Sequence, residues 1–389
     1  MRRFTTPQRR ARLARRQLLV PGAEPVASVD EVAAQLVGLH ATDPATPYLS
    51  LWARIGDFTV PDLDAALYDR HSLVKHLAMR RTLWMVRAVD LPRIQSAASD
   101  RVAANETRRL IADVERAGVA EDGSAWVDTA CAAVLRHLRG TGPCAARELR
   151  EALPELTGTY DPAPGKAYGG EGHLAPRVLT ALAARGEIVR GPNDGGWTAS
   201  RPRWTTAATW LPPADPVDPD RARTDVVRRW LYAFGPATVA DIKWWFGNTL
   251  GWARQALADI DAVEVDLDGT TGFVLPGDEE PDPAVEPWCA LLPGLDVTTM
   301  GWVDRDWYLG EHRTQIFDRN GNAGPTVWVD GRVIGCWRQD AGGRVELLLL
   351  EKVDPAMRRQ LSARADALTA WLGGVRVSPR FPSPLSKGR

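Results

Sequence analysis

Short amphipathic helices followed by a two-stranded ribbon recur three times along this chain of 389 residues. Capping residues and apolar positions three or four apart mark the helices. Apolar runs on either side of a tight turn mark the ribbons, which are predicted to end near residues 86, 198 and 275. Because this spacing is irregular, the pattern predicts three divergent modules rather than a strict repeat.

The first module begins with a capping box at Ser28, which starts a helix whose apolar stripe continues to His40. Pro44 disfavours helical backbone at the residue before it, so this helix is expected to end there. Two further short helices follow, and then two strands on either side of a basic turn at Arg80 and Arg81. Three helices and a ribbon are the order of a winged helix, in which the ribbon is the wing.

The second module is predicted from helices over Ala145–Leu153 and His173–Arg185, with a Gly- and Pro-rich loop over Tyr160–Gly172 between them. Its ribbon is expected to pair Gly186–Arg190 with Trp197–Thr198. The same order of elements as in the first module predicts a second winged helix.

The third module has predicted helices over Asp225–Phe234, Thr238–Phe246 and Leu250–Ile260. Its ribbon runs from Val263 to Leu275 around Asp268–Gly269, a pair that favours the type I′ turn of a hairpin. These elements predict a third winged helix.

The C-terminal part of the chain has a different character. An acidic, Pro-rich stretch at 277–287 is interpreted as a linker, and Asp330–Gly331 predicts a tight hairpin beyond it. The fold class is therefore predicted as α+β, with three tandem winged-helix modules and a β-rich domain, either a small barrel or a curled meander. The predicted divisions are 1–125, 126–215, 216–280 and 281–389.

Composition limits the classes of function. The formal net charge is -1, so binding to nucleic acid would need a local basic surface rather than a global excess of charge. The four cysteines show no metal-ligand spacing, which predicts no metal or other cofactor and a reducing compartment. No long apolar stretch is present, so we expect a cytoplasmic protein without a membrane partner, acting as a monomer.

The two ends of the chain are basic. Residues 1–16 contain seven arginines and no acid, and Thr6 followed by Pro7 predicts a helix start there. This segment is either a solvated face or a disordered end on the one hand, or an arm that contacts phosphates on the other. The tail from Val375 carries Arg376, Arg380, Lys387 and Arg389, again without an acid.

His40, Thr42 and Asp43 place three polar side chains within four positions. A neutral imidazole can orient or deprotonate water, a hydroxyl can hold that water, and a carboxylate can face a cationic sugar. Each residue also has a structural alternative. His40 extends an apolar stripe and suits a core histidine, Thr42 can cap a helix end, and Asp43 before proline is typical of a turn.

Three stretches together resemble the tandem winged-helix DNA glycosylase family, which includes an azinomycin-resistance enzyme that unhooks interstrand crosslinks. They are HATDPATPYLSLWAR at 40–54, FGPATVADIKWWFG at 234–247, and a block whose centre contains TTMGWVDRDWYLG at 298–310 and DRNGNAGPTVWVDGRVIG at 318–335. The resemblance implies excision of alkylated purines from double-stranded DNA without a metal. This chain has His-x-Thr where the family usually has Gln-x-Gln or Gln-x-Asp, so the catalytic role passes to His40, Thr42 and Asp43 by position.

Candidate DNA-binding residues lie on the first ribbon and in the C-terminal block. The glycine-rich loop at 319–325 is either a turn that needs positive φ or a probe of the DNA backbone or groove. The basic residues of the first ribbon are either solvated or in contact with phosphate. The candidates are Lys75, Arg80, Arg81, Arg319, Asn320, Asn322 and Arg332.

Three hypotheses follow for the function. The first is a monofunctional DNA glycosylase that hydrolyses the N-glycosidic bond of N7- or N3-alkylated purines, including bulky natural-product adducts or crosslinks, in repair or self-resistance. The alternative is a non-catalytic winged-helix DNA-binding protein, a regulator or lesion binder. The chain lacks the heptads or sensor module of a typical dimeric regulator. The third is a scaffold that binds other proteins through its winged helices.

Overall fold

The computed structural model describes residues 1–20, 28–162, 165 and 170–388. The chain forms two compact units, one composed of Met1–Leu63 with Arg223–Arg389 and the other of Asp64–Ala222. The N-terminal segment therefore belongs to the same unit as the C-terminal sheet.

Helices account for most of the regular structure. The α-helices of the described residues are α1 Thr6–Arg16, α2 Val29–Gln35, α3 Thr46–Trp52, α4 Val60–Asp64, α5 Leu91–Ile94, α6 Asp100–Arg116, α7 Gly123–Thr141, α8 Ala146–Ala152, α9 Ala175–Ala184, α10 Ala207–Trp210, α11 Pro219–Phe234, α12 Val239–Phe246, α13 Leu250–Asp259, α14 Asp306–Leu309, α15 Arg313–Ile316 and α16 Pro355–Leu372. Most of the predicted helices are confirmed to within a few residues at each end, whereas α6 and α7 were not predicted.

The strands are short and belong to several small sheets. Those of the described residues are β1 Arg2–Arg3, β2 Leu39–His40, β3 Leu73–Leu77, β4 Leu83–Arg87, β5 Cys144–Ala145, β6 Thr159–Tyr160, β7 Gly172–His173, β8 Ile188–Asn193, β9 Pro202–Thr206, β10 Val263–Leu267, β11 Thr270–Val274, β12 Cys289–Leu292, β13 Thr326–Val329, β14 Arg332–Gln339 and β15 Val345–Leu349. The chain thus has a mixed α and β fold, as predicted.

Among the described residues, two sheets lie wholly within the larger unit. One is a hairpin of β10 and β11 around Asp268–Gly269, both at positive φ, to which β1 adds a parallel strand. The other is an antiparallel sheet in the order β12-β13-β14-β15, with α16 packed against β12 and β15. The hairpins predicted at Asp268–Gly269 and Asp330–Gly331 are therefore confirmed.

Aromatic side chains fill much of the core of this unit. The Trp230 ring stacks on Phe234 at 5.2 Å between centroids, and Phe234 contacts Trp245 and Trp302. Tyr308 stacks on the fully buried Trp328 of the C-terminal sheet. These large rings bury apolar area efficiently, and Trp230, Trp245 and Trp328 are fully buried in the core.

The smaller unit is organised around α6, α7 and α9, which pack on one another and enclose a core that includes Leu110, Val134 and Leu182. Strands β5, β9 and β8 form a sheet in that order, and β3 pairs with β4 as predicted.

The ribbon and the loop that were predicted for the second module lie in the smaller unit. The expected second strand at Trp197–Thr198 is wrong, because Gly195 and Gly196 adopt positive φ and the chain is still turning at Trp197. The pairing strand begins only at Pro202. Part of the loop predicted over Tyr160–Gly172 lies outside the described residues.

Candidate active site

The candidate motif lies on a short strand and the turn that follows it. Helix α2 ends at Gln35, and Val37 and Gly38 then adopt φ of 60° and 125°. A right-handed helix cannot continue through two such residues, so the chain turns into β2. The prediction that the helical stripe extends to His40 is therefore wrong, and His40 lies in a strand instead.

His40 is 3% exposed, and its Nδ1 accepts a hydrogen bond of 3.4 Å from the main-chain N–H of Thr42. An acceptor nitrogen carries no proton, so the neutral ring in this arrangement holds its proton on Nε2. Thr42 itself is only half-buried. Of the three candidate catalytic residues, Thr42 therefore presents the most surface to solvent.

Asp43 is 5% exposed, and both of its carboxylate oxygens accept hydrogen bonds from the main chain. Oδ1 accepts from Ala45 at 3.1 Å and Oδ2 accepts from Arg380 at 2.8 Å. Burial raises the pKa of Asp43, and the two N–H donors oppose that rise. The carboxylate thus holds the turn at Pro44 and joins it to the C-terminal tail.

A buried ion pair supports helix α3, which follows the motif directly. The Arg54 guanidinium and the Asp296 carboxylate form a bidentate contact in which neither side chain is exposed. The hydroxyl of Ser50 also donates to Asp296 at 2.6 Å. Burial opposes ionisation of Asp296, but the charge and hydrogen bonds of Arg54 outweigh it and hold the pKa of Asp296 below its usual value.

The same network reaches the N-terminal segment. Arg54 Nε donates to the main-chain oxygen of Gln17, and Thr298 Oγ1 donates to Gln17 Oε1 at 2.7 Å. At the start of α3, the Thr46 hydroxyl donates to the main-chain oxygen of Gly294. Helix α3 is therefore fixed at both ends, which gives the motif a rigid support.

The loop at 319–322 is organised by the carboxylate of Asp318. Its Oδ1 accepts from the N–H groups of Asn320 and Asn322, and its Oδ2 accepts from the Asn322 amide. Although burial acts in the opposite direction, these bonds lower the pKa of Asp318. Arg319 and Asn320 are exposed, whereas the Asn322 side chain is already engaged within the loop.

Arg332 stands at the start of β14 and is partly exposed. Its guanidinium contacts Glu351 Oε1 at 2.5 Å, and the His312 ring also contacts that oxygen at 2.8 Å. Arg332 is therefore in an ion pair on the surface.

The candidates on the first ribbon belong to the smaller unit. Lys75 is 6% exposed and its ammonium donates to the Tyr68 hydroxyl at 2.9 Å. Burial lowers the pKa of Lys75 to about 8. Arg81 makes a bidentate contact with the buried Glu106. Arg80 is half-buried at a φ of 56°, so the ribbon presents less free positive charge than the sequence suggested.

The basic N-terminal helix has a structural role that neither sequence-based alternative described. Arg12 and Arg16 are buried and form ion pairs with Asp278 and Asp282 of the acidic stretch 277–287. The helix begins one residue earlier than predicted, because Thr5 rather than Thr6 is the capping residue. Helix α1 therefore fixes that acidic stretch to the larger unit.

Three residues of this region were not singled out from the sequence. Ser50 lies in α3 and Arg54 lies just beyond its end, and a single charge directly after an apolar run was the available signal. Asp296 lies in an apolar run, again an isolated charge. In the parts of the chain that the structure describes, no group of three or more His, Cys, Asp or Glu side chains could hold a metal ion. No described helix is long and apolar enough to cross a membrane.

The motif and the network that supports it lie in a region that matches a known protein family. The family model described as DNA glycosylase AlkZ-like matches residues 33–372, a range that contains the motif, Asp296 and the loop at 319–322. The chain therefore belongs to the AlkZ-like DNA glycosylase family.

A curated relative and a solved structure agree with this assignment. The chain is 32% identical over 170 residues to the interstrand DNA cross-link repair glycosylase of Streptomyces sahachiroi, in a match that covers 41% of this chain and 45% of the relative. It is also similar in fold to the DNA glycosylase AlkZ of Streptomyces sahachiroi, with a TM-score of 0.74 and 22% identity over 97% of this chain and 99% of that one. The sequence match to the curated relative thus spans less than half of its length.

Proposed function

We propose that this chain is a monofunctional, metal-independent DNA glycosylase that hydrolyses the N-glycosidic bond of N7- or N3-alkylated purines in duplex DNA. The observation that carries the proposal is Thr42, half-buried on a firmly held turn inside the region that the family model matches. By the resemblance noted in the sequence, this is the position where the family usually has Gln or Asp. Interstrand crosslinks, which the name of the curated relative mentions, belong to the same proposal, and so do bulky natural-product adducts.

Hydrolysis of such a base needs little acid catalysis. An N7-alkylated purine carries a positive charge, so cleavage of the bond from C1′ to the purine returns an electron pair to the base and neutralises it. The sugar becomes oxocarbenium-like, water then bonds to C1′, and one water proton is released. In this proposal the Thr42 hydroxyl contacts and orients that water.

His40 and Asp43 have a supporting role in the proposal. His40 accepts from the Thr42 amide, and each oxygen of the Asp43 carboxylate accepts from one main-chain N–H, so both act on the orientation of Thr42. The electrostatic field of the Asp43 carboxylate at the end of the turn would also favour positive charge on the sugar.

The scaffold part of the proposal keeps three winged-helix modules, within 1–125, 126–215 and 216–280, followed by the β-rich part at 281–389. The order of helix, strand, helices and hairpin over α2, β2, α3, α4, β3 and β4 supports the first module. Of the predicted DNA contacts, the exposed Arg319 and Asn320 are best placed. Lys75, Arg81, Asn322 and Arg332 all bond within the protein, and the half-buried Arg80 stays in the proposal with them.

The alternative function is binding of damaged DNA without catalysis. It is favoured by the burial of His40 and Asp43, which leaves a single candidate side chain partly open to solvent.

One experiment separates the two functions. The protein is incubated with a labelled duplex that contains one N7-methylguanine, and abasic sites are revealed by alkaline strand cleavage, with and without EDTA. The glycosylase proposal predicts cleavage at the lesion that EDTA does not reduce, and a loss of about a hundredfold or more in the base-release rate for Thr42→Ala. Thr314→Ala, a change at an exposed threonine of the same unit, serves as the matched control. Tight binding without base release from this duplex and from a crosslinked one would support the alternative.

A further inference from the structure

The last part of the chain runs back over the larger unit as a strap, defined here as residues 375–388. Gln339 at the end of β14 anchors its first residues, since its Nε2 donates to the Val375 oxygen at 3.0 Å and its Oε1 accepts from the Val377 amide at 2.8 Å. Arg338 donates to the main-chain oxygen of Ser386 at 3.1 Å. The strap is thus tied to β14 near both of its ends.

An open pocket of about 570 Å³ lies between the strap and the sheet, with Trp337 on the sheet side and Pro379 and Pro382 on the strap side. On the N-terminal side of the buried Ser383, the strap is therefore held mainly by a few hydrogen bonds, so removal of one of them should change the position of Arg380.

The middle of the strap contacts both candidate functional stretches. The Arg380 amide donates to Asp43 Oδ2 at 2.8 Å, and the Arg380 guanidinium lies 3.5 Å from the Thr42 main-chain oxygen. Ser383 is fully buried against the loop that contains the DNA-binding candidates, and a Cβ on Gly324 would lie 2.5 Å from the Ser383 nitrogen. The strap therefore joins the motif to that loop.

We propose that the strap is a positioning element of the proposed active site, and that Arg380 is a positioning residue that acts through its main-chain N–H on Asp43 and Thr42. This proposal rests on the proposed function only for its effect on base release; the contact between the strap and the motif is independent of that function. Without the Arg380 bond, one buried oxygen of Asp43 would lack a donor, and the turn that presents Thr42 would relax. The strap lies beyond residues 33–372, the range that the family model matches.

The first test removes the remote tie. Gln339→Leu abolishes both hydrogen bonds to the strap without touching the motif, and Gln255→Leu, at an exposed glutamine that bonds only within α13, is its matched control. We expect faster hydrogen exchange in the peptide 39–50 for Gln339→Leu. We also expect a single-turnover base-release rate about tenfold lower at saturating protein, with an unchanged Kd for undamaged duplex.

The second test separates the Arg380 amide from its guanidinium. Arg380→Ala keeps the N–H that holds Asp43, so exchange in 39–50 should stay as in the unmodified protein. Arg380→Pro removes the N–H, so exchange should rise and base release should slow as in Gln339→Leu. This pair also tests the proposal if Gln339→Leu does not fold.

Unchanged exchange in 39–50 for both Gln339→Leu and Arg380→Pro would overturn the proposal. If Arg380→Ala lowers the base-release rate as much as Arg380→Pro does, the effect belongs to the guanidinium rather than to the main-chain N–H. That result would also overturn the proposal. If the unmodified protein releases no base from any duplex, the proposed function fails, whereas the exchange measurements still decide whether the strap holds the motif.

Discussion

Two nitrogens of the Arg54 guanidinium each lie 2.9 Å from an oxygen of the Asp296 carboxylate, in a pair that solvent does not reach. The pair joins the helix below the candidate motif to the segment that follows β12. Ser50 and Thr298 satisfy further hydrogen-bonding positions of the two ions. A buried charge pair with this geometry favours one relative placement of the two segments, which is what a motif on a short turn requires.

Asp296→Asn is expected to destabilise the larger unit strongly. The change leaves the Arg54 cation buried without its counter-ion, and removal of one partner of such a pair costs about 3–5 kcal/mol. Urea unfolding followed by tryptophan fluorescence measures the loss. The control is Asp366→Asn, whose surface pair with Arg344 should contribute at most about 1 kcal/mol. Equal effects of the two changes would contradict a structural role for the buried pair.

The contribution of Asp296 also depends on pH. Its folded pKa is lowered, because the charge and hydrogen bonds of Arg54 outweigh the effect of burial, so the carboxylate stabilises the fold above its unfolded pKa of about 3.9. That stability is lost as the pH falls through the folded pKa. The gap in unfolding free energy between the unmodified protein and Asp296→Asn should therefore stay constant at neutral pH and narrow below about pH 4. Urea unfolding across that range measures the gap, and a gap that narrows already between pH 8 and 6 would exclude Asp296 as its source.

His76 should make the smaller unit sensitive to mild acid. Burial lowers the pKa of His76 to about 4, and its Nε2 is 2.9 Å from the Ser99 hydroxyl. In the unfolded chain His76 takes up a proton near pH 6.5, whereas in the folded unit it stays neutral down to about pH 4. Stability is therefore lost as the pH falls from about 6.5 to about 4. Over that interval the loss amounts to about 3 kcal/mol.

The measurement compares unfolding free energies at pH 7.5 and pH 4.5 in the unmodified protein and in His76→Gln. The substitution should remove most of the difference between the two pH values, whereas His173→Gln, at an exposed histidine of the same unit, should leave it in place. A difference that persists in His76→Gln would show that other groups cause the acid sensitivity.

The sequence located the elements well but misjudged several of their contacts. Capping residues and turn pairs such as Asp268–Gly269 are local signals, so the helices and hairpins that they mark were predictable. The pairing of Arg12 with Asp282 joins segments 270 positions apart, and no local pattern encodes it. The same holds for Arg380 and Asp43.

The candidate site illustrates the same limit. Position in the motif identified Thr42 as a candidate, and the structure leaves its side chain half-buried. The burial of His40, Asp43 and Lys75 could not be predicted, because it depends on segments distant in sequence. Charged residues within apolar runs, as at Arg54 and Asp296, were the signal that would have pointed to the supporting network.

Arg319→Ala is expected to weaken DNA binding through the loss of one phosphate contact. Arg319 is exposed on a loop that Asp318 already orders, so its substitution should leave the unfolding midpoint unchanged. Binding of an undamaged duplex, measured by fluorescence anisotropy at several salt concentrations, should show a slope of log K against log salt that is smaller in magnitude by about 0.9.

Arg16→Gln provides the contrast, because Arg16 is buried and paired with Asp278 and Asp282 rather than presented to DNA. We expect a lower unfolding midpoint for this variant and a salt slope equal to that of the unmodified protein. A smaller slope for Arg16→Gln would mean that the N-terminal helix contacts phosphates after all. An unchanged slope for Arg319→Ala would instead remove the loop at 319–322 from the proposed DNA surface.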